Sequence, residues 1–265
     1  MGVVNVTPDS FSDGGRHDTA PAAVAYALSL VEQGADILDI GGESTRPGAE
    51  PVSEPEELAR VLPVIEDVRR KSNVAISIDT MKPAVARAAV AAGATMWNDV
   101  AALREPGALD AAAELGCEVV LMHMLGEPRT MQDAPRYDDV VGEVEAFLLE
   151  RAEAAMGAGV SRAKISLDPG IGFGKTVDHN LALLAALPRL VAHGYPVVLG
   201  ASRKRFIAGI DAGAKDARAR LGGSLAAALA GASAGVAAVR VHDVRETVQA
   251  LAVHAAIQNS VSSRP

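Results

Sequence analysis

Short apolar, often β-branched runs recur along the whole chain. They are Val3-Val4, Ile37-Leu38, Ala75–Ile78, Met96-Trp97, Val119–Leu121, Ile165–Leu167, Val197–Leu199 and Val239–Val241. Most lack polar alternation, as expected for parallel strands covered on both faces. Between them apolar residues recur at helical spacing. Val24, Leu28 and Val31 define one face, with Thr19 and Pro21 as start signals and Gly34 as the stop. Leu58, Val61, Leu62, Ile65 and Val68 define a second, and Ser53 with Glu56 predicts a capping box at its start. Val140, Val144, Phe147 and Leu148 predict a long helix ending near Gly157 or Gly159, and Val244, Val248 and Leu251 predict the last one. The Ala- and Gly-rich stretch from Leu225 to Ala238 reads as a buried helix followed by a strand.

Strand then helix, eight times, over 265 residues predicts a single-domain α/β fold, the (β/α)8 TIM barrel. The barrel is expected to fill residues 1–258, with residues 259–265 a frayed tail. An open doubly wound sheet is the architectural alternative, but its first turn normally carries G-x-G-x-x-G. Here the first strand runs into Asn5-Val6-Thr7-Pro8-Asp9-Ser10.

Polar residues fall where such strands end. Asn5 ends strand one, Gly41 to Gly48 follows strand two, Asp79 ends strand three, and Asn98-Asp99 end strand four. His123 follows strand five, Asp168 ends strand six, Ser202-Arg203-Lys204 follow strand seven, and Arg240 and His242 close strand eight. In a parallel barrel these ends share one face, which holds the active site. Any single one could be a helix cap; the mixture of acid, amide and base is too varied for capping alone. Asp79, Asn98 and Asp168 suit a reader for a planar, hydrogen-bonding ring. Lys204, Arg240 and His242 supply positive charge where barrels commonly bind phosphate. The amide oxygen of Asn5 suits Mg²⁺, which shares phosphate oxygens and keeps several waters. Two long loops, Thr7 to Asp18 and Gly41 to Ser53, are expected to be functional. Phe11, in the first, reads as a pocket wall or a rim-packing residue.

Composition narrows the partners. The net charge of −8 and the sparse aromatics (four Phe, three Tyr, one Trp) argue against a nucleic-acid binder. Cys117 is the single cysteine, which excludes a disulfide framework and a cysteine-based zinc cluster. The six histidines show neither H-E-x-x-H nor H-x-H spacing. No basic-then-apolar leader opens the sequence, and no apolar run reaches the roughly 18 residues of a membrane span. The expectation is a soluble, cytoplasmic protein with no membrane partner.

The motifs carry a resemblance. Met1 to Gly15, MGVVNVTPDSFSDGG, resembles the first signature of the dihydropteroate synthase family, and Gly41 to Gly48, GGESTRPG, its second. Ser77–Thr80, Asn98-Asp99, Leu167–Gly170, Ser202–Lys204 and Arg240–Asp243 resemble the remaining ones in order. The likeness covers almost the whole chain, and the two long motifs are highly specific. It implies a (β/α)8 enzyme of folate biosynthesis, generally homodimeric and a sulfonamide target. Such an enzyme joins 6-hydroxymethyl-7,8-dihydropterin pyrophosphate to 4-aminobenzoate with Mg²⁺. Carried over by motif, Asn5 would ligate Mg²⁺ and, with Arg240 and His242, bind pyrophosphate. Asp79, Asn98, Met122, Asp168, Phe173 and Lys204 would hold the pterin. Phe11, Thr45, Arg46, Pro47 and Ser202 would line the aminobenzoate pocket. Asp79, Lys204 and Asp13 would be catalytic, Asp79 and Asp13 stabilising cationic character at the pterin methylene.

Several features are expected to be decoys. Gly170 to Thr176 resembles a phosphate-binding loop but has Pro169 where that motif needs glycine. Cys117 reads as inert packing, Tyr26 and Trp97 as core, and Arg218 and Arg220 as a solvated helix start. The family usually has a short segment before the first strand, whereas Met1 already belongs to the first motif. Three rivals remain: a pterin-binding methyltransferase, which would not need the two long loops; a Schiff-base aldolase using Lys204; and a noncatalytic pterin binder. A dimer interface is expected on the Ala-rich helices after Leu221.

Overall fold

Eight parallel strands form the centre: β1 (Gly2–Asn5), β2 (Ile37–Gly41), β3 (Ala75–Asp79), β4 (Met96–Asp99), β5 (Glu118–Met122), β6 (Ile165–Asp168), β7 (Val198–Leu199) and β8 (Ala238–Val239). The computed structural model describes residues 1–7, 19–45 and 48–262. Strands β1 to β6 pair in chain order, and β7 pairs with β8. Bridges Leu167↔Val197 and Gly2↔Val241 join the two sheets at both seams. The bonds Leu167 N–H to Pro196 O (2.9 Å) and Val3 N–H to Val241 O (3.0 Å) complete the ring. Every strand falls on one of the eight apolar runs.

Helices follow the strands: α1 (Thr19–Glu32), α2 (Glu54–Lys71), α3 (Pro83–Ala91), α4 (Ala108–Leu115), α5 (Val140–Gly157), α6 (Val177–Ala185), α7 (Leu187–Val191), α8 (Arg205–Ile210), α9 (Leu221–Ala234) and α10 (Val244–Ser262). Their apolar faces meet the barrel wall, where Leu38, Ile40, Ile76, Ile78, Leu121, Ile165 and Leu167 are all fully buried. Trp97 is fully buried too, and its indole N–H donates to Thr80 O at 2.8 Å. Tyr26 packs half-buried against the same core, and Cys117 is buried and free. Met1, Met96, Val120 and Val198 cluster inside the barrel, with Ile37 packed against them.

Helix α2 shows how charge supports these elements. Glu54, Glu56 and Glu57 lie in its first turn, and Arg69, Arg70 and Lys71 in its last, each opposing the helix dipole. Ser53 is its N-cap, but the predicted capping box does not form. Glu56 turns to Arg60, whose Nη2 lies 2.6 Å from Oε1, so it does not reach back to the cap. A capping box does form on α6, between Thr176 and His179. Arg218 is exposed as expected, but Arg220 is not solvated. It is buried, and its guanidinium donates to the carbonyls of Ala214, Arg203 and Lys215. The chain turns on itself before α9, and one five-donor fork satisfies three carbonyls that would otherwise be orphaned. Helix α10 continues to Ser262, and residues 263–265 lie outside the described part.

Candidate active site

The strands end on one face, and their polar residues meet there. At the centre, Arg240 on the segment after β8 reaches two carboxylates. Its Nε lies 2.5 Å from Asp39 Oδ2, and its Nη2 lies 2.6 Å from Asp79 Oδ2. Asn98 Nδ2 donates to the same Asp39 carboxylate at 3.2 Å. Asp39 is fully buried, and Asp79 and Asn98 nearly so. Burial pushes Asp79 up to about 7; Arg240 opposes the shift, and Asp39 reinforces it. Burial also works against the charge of Arg240, yet the two carboxylates outweigh it and raise its pKa. Asp79 Oδ1 is buried with no partner. A buried acceptor without a donor is costly, and it points to a ligand group that completes it.

Beside this triad lies a second wall. Asp168 ends β6, and its Oδ1 takes the Gly170 amide at 2.7 Å. Burial raises its pKa, against the backbone bond and the charge of Lys204. Met122, Phe173, Val100, Met124 and Met131 form an apolar cluster of their own, apart from the main core. The Lys204 ammonium stands 3.9 Å from the Phe173 ring centroid, a cation–π contact. A planar surface, a cation and carboxylates thus come within one cleft. Behind Phe173, Lys175 is almost fully buried. Its Nζ donates to Phe173 O at 3.0 Å and lies 2.9 Å from His123 Nδ1. Burial lowers Lys175 to about 7 and His123 to about 3.

The third wall comes from the segments after β7 and β8. Ser202 Oγ lies 3.0 Å from His242 Nδ1 and accepts the His242 amide at 3.2 Å. Burial, together with Arg240 and Arg203, lowers His242 to about 3. Without ligand the site thus favours the neutral ring, which lies beside the Ser202 hydroxyl. Arg203, between Ser202 and Lys204, has a left-handed backbone (φ 58°). Its guanidinium grips Asp243, and its amide donates to Ser224 Oγ at 2.8 Å. This turn aims Ser202 and Lys204 at different parts of the cleft.

Asn98's neighbour Asp99 has a different task. Its two oxygens accept the amides of Ala101 (2.7 Å) and Leu103 (2.8 Å), fixing a turn in which Ala102 and Leu103 have positive φ. Asn5 lies at the end of β1, paired in register with Gly41, and Thr45 lies on the loop after β2. Phe11, Asp13, Arg46 and Pro47 lie outside the described residues.

Comparison with known proteins gives this cleft its context. The profile of the pterin binding enzyme family matches residues 1–242. The chain is 50% identical over 254 residues to the dihydropteroate synthase of Escherichia coli K12, covering 96% of this chain and 89% of that protein. The chain belongs to the dihydropteroate synthase family. Solved structures agree. The Xanthomonas albilineans dihydropteroate synthase with 4-aminobenzoic acid superposes with a TM-score of 0.93 at 56% identity, covering all of this chain and 93% of that one. The Yersinia pestis enzyme in complex with a sulfonamide drug gives 0.92 at 45% identity, covering 98% and 94%. The TIM-barrel fold and the transferase activity follow from membership in the dihydropteroate synthases.

Of the residues singled out from sequence, Asp79 meets Arg240 directly, and Asn98 joins them through Asp39; Phe173 meets Lys204 and Ser202 meets His242. Met122 joins Phe173 through the apolar cluster. Asp39 was missed, although it is the hub of the buried charges. A lone carboxylate inside the apolar run Ile37-Leu38-Asp39-Ile40 was the available signal, because a strand covered on both faces cannot leave it unpaired. Lys175 was set aside with the false phosphate loop; its role is to hold the loop after β6. Among the described residues, no helix is long and apolar enough to cross a membrane.

Proposed function

We propose that this dihydropteroate synthase seats the pterin ring of 6-hydroxymethyl-7,8-dihydropterin pyrophosphate against Asp79, Asn98 and Asp168, with Met122 and Phe173 as its apolar bed and Lys204 at its carbonyl side. The observation that carries this reading is the unpartnered Asp79 Oδ1, buried beside Arg240 and Asn98. A ring presenting adjacent N–H donors satisfies it. Arg240 and His242, with Asn5, hold the pyrophosphate. Phe11, Thr45, Arg46, Pro47 and Ser202 receive 4-aminobenzoate, the pocket that sulfonamides would share.

The chemistry is a dissociative substitution. The methylene C–O bond breaks, and its electron pair leaves with pyrophosphate. Cationic character spreads into the pterin ring, where Asp79 and Asp13 stabilise it. The aminobenzoate nitrogen then forms the C–N bond and gives up a proton. Its amine is already nucleophilic, so no activated serine or cysteine is required. Arg240, with His242 and Asn5, holds the leaving group's charge in a site that favours it before the bond breaks. Asn5 would hold Mg²⁺ through its amide oxygen, a hard, neutral ligand that suits an ion bound largely by phosphate and water. When bound, Mg²⁺ neutralises phosphate charge. We further propose a cytoplasmic homodimer.

The test is pyrophosphate release with both substrates and Mg²⁺, with 4-aminobenzoate omitted as the control. Release that depends on both substrates is expected. Equal release without aminobenzoate would mean hydrolysis, and no release at all would leave only a binder.

A further inference from the structure

The loop between β2 and α2 leaves the barrel at Gly42 and returns at Val52. One side chain touches both of its stems and the next segment of the barrel as well. Glu43 Oε1 accepts the Val52 amide at 3.3 Å, and Glu43 Oε2 pairs with Lys82 Nζ. Lys82 follows β3, on the segment that also carries Asp79, and its ammonium lies 2.6 Å from Glu57 Oε2 on α2. Glu57 is fully buried, and its other oxygen has no partner. Burial works against the charge of Lys82, yet hydrogen bonds to Glu43 and Glu57 raise its pKa. Nearby, Arg60 Nη1 donates to Gly42 O at 2.7 Å. Gly42 rests directly on α2, where a Cβ would come 2.9 Å from Val61 Cγ1 and 3.0 Å from Glu57 Cγ.

A long loop that must present a preformed pocket gains from having its neck closed, because ordering it at the moment of binding costs affinity. We propose that Glu43 and Lys82 are positioning residues that pin both stems of the 43–52 loop to α2 and to the segment after β3, and so preset Thr45 on that loop for aminobenzoate. This rests on the assignment of Thr45, Arg46 and Pro47 to that substrate. The latch is ionic and touches no substrate. Its loss therefore raises the KM for aminobenzoate and leaves the pterin site, built on other strands, intact.

Glu43→Gln is the informative variant, because Lys82 keeps Glu57 and no buried charge is stranded. Relative to wild type, the KM for 4-aminobenzoate rises about tenfold, while the KM for the pterin pyrophosphate and kcat at saturating aminobenzoate stay within about twofold. In the ligand-free enzyme, amide hydrogen exchange around Val52 speeds up. Thr45→Ala is the control that touches substrate directly. An unchanged aminobenzoate KM in Glu43→Gln beside a raised one in Thr45→Ala would overturn the latch and keep the pocket assignment. Unchanged values in both would overturn both. A loss in kcat and both KM values, together with a lower melting temperature, would make Glu43 merely structural and overturn its positioning role.

Discussion

Asp39 and Asp79 face one guanidinium, and two carboxylates against one cation make the site sensitive to pH. Asp79 is raised from 3.8 to about 7, so it stays protonated close to neutrality. Only the ionised form accepts two N–H donors from a ring. The kcat/KM for the pterin substrate therefore climbs as pH rises to about 7 and levels off above it. Stability has the opposite sign. The folded protein keeps a proton that the unfolded chain releases above 3.8, so this group's contribution falls as pH rises to about 7, by at most ~1.4 kcal/mol per unit. Asp99 also lies near 7, so a second variant is needed. Asp39→Asn removes a negative charge that disfavours ionisation of Asp79, and so moves the acidic limb to lower pH. Asp79→Asn lowers kcat/KM by about a hundredfold or more at every pH and erases the limb. A flat profile between pH 6 and 8, or a limb unmoved by Asp39→Asn, would refute the assignment. The sequence made Asp79 legible because it ends a strand. It hid Asp39 because a carboxylate inside a strand announces only that it has a partner, not which one.

The loop after β6 is held from beneath by Lys175. Gly170 (φ 68°) passes so close to β5 that a Cβ would lie 1.9 Å from His123 O, and the Lys175 ammonium fills the space behind it. Burial lowers Lys175 from 10.5 to about 7. The folded state thus loses a proton that the unfolded chain keeps until higher pH. The contribution of Lys175 to stability is complete above 10.5 and fades as pH falls to about 7. Wild type should gain stability from pH 7 to pH 9 relative to Lys175→Met, as read by urea denaturation at each pH. Parallel curves for the two proteins would place the charge of Lys175 outside this balance. Element positions were legible because apolar periodicity reflects which face is covered, and that holds for the eight strand runs and for α1, α2, α5 and α10. Local hydrogen bonding was less legible. Ser53 and Glu56 have the spacing of a capping box, but Arg60, one turn on, takes the glutamate. Arg220 reads as a surface arginine until the fold brings three carbonyls to it. Spacing along the chain does not say which of two competing partners is nearer.

At the scale of the whole molecule, five large apolar side chains stand exposed among the described residues: Leu181 on α6, Ile210 on α8, and three on the final helix. Val248, Val253 and Ile257 on α10 are 41%, 56% and 56% exposed. Helix α9 runs beside it, joined through Ser233 Oγ and His254 Nε2 at 3.2 Å. Between the two helices opens a cleft of about 530 Å³, lined by Ala232, Leu251, His254 and Gln258 among others. Apolar residues this exposed along one helix are more often an interface than bare surface. The net charge of −8 disfavours casual self-association, so a contact here must be specific. A two-fold dimer would bring Val253 and Ile257, one turn apart on one face of α10, against the same pair of its partner. The catalytic face lies at the strand ends and not along these helices, so breaking the contact should spare the chemistry. Val253→Glu with Ile257→Glu is expected to convert a dimer into a monomer by sedimentation velocity, with kcat/KM within about twofold of wild type. If wild type sediments as a monomer, or the double variant remains dimeric, the interface lies elsewhere or does not form.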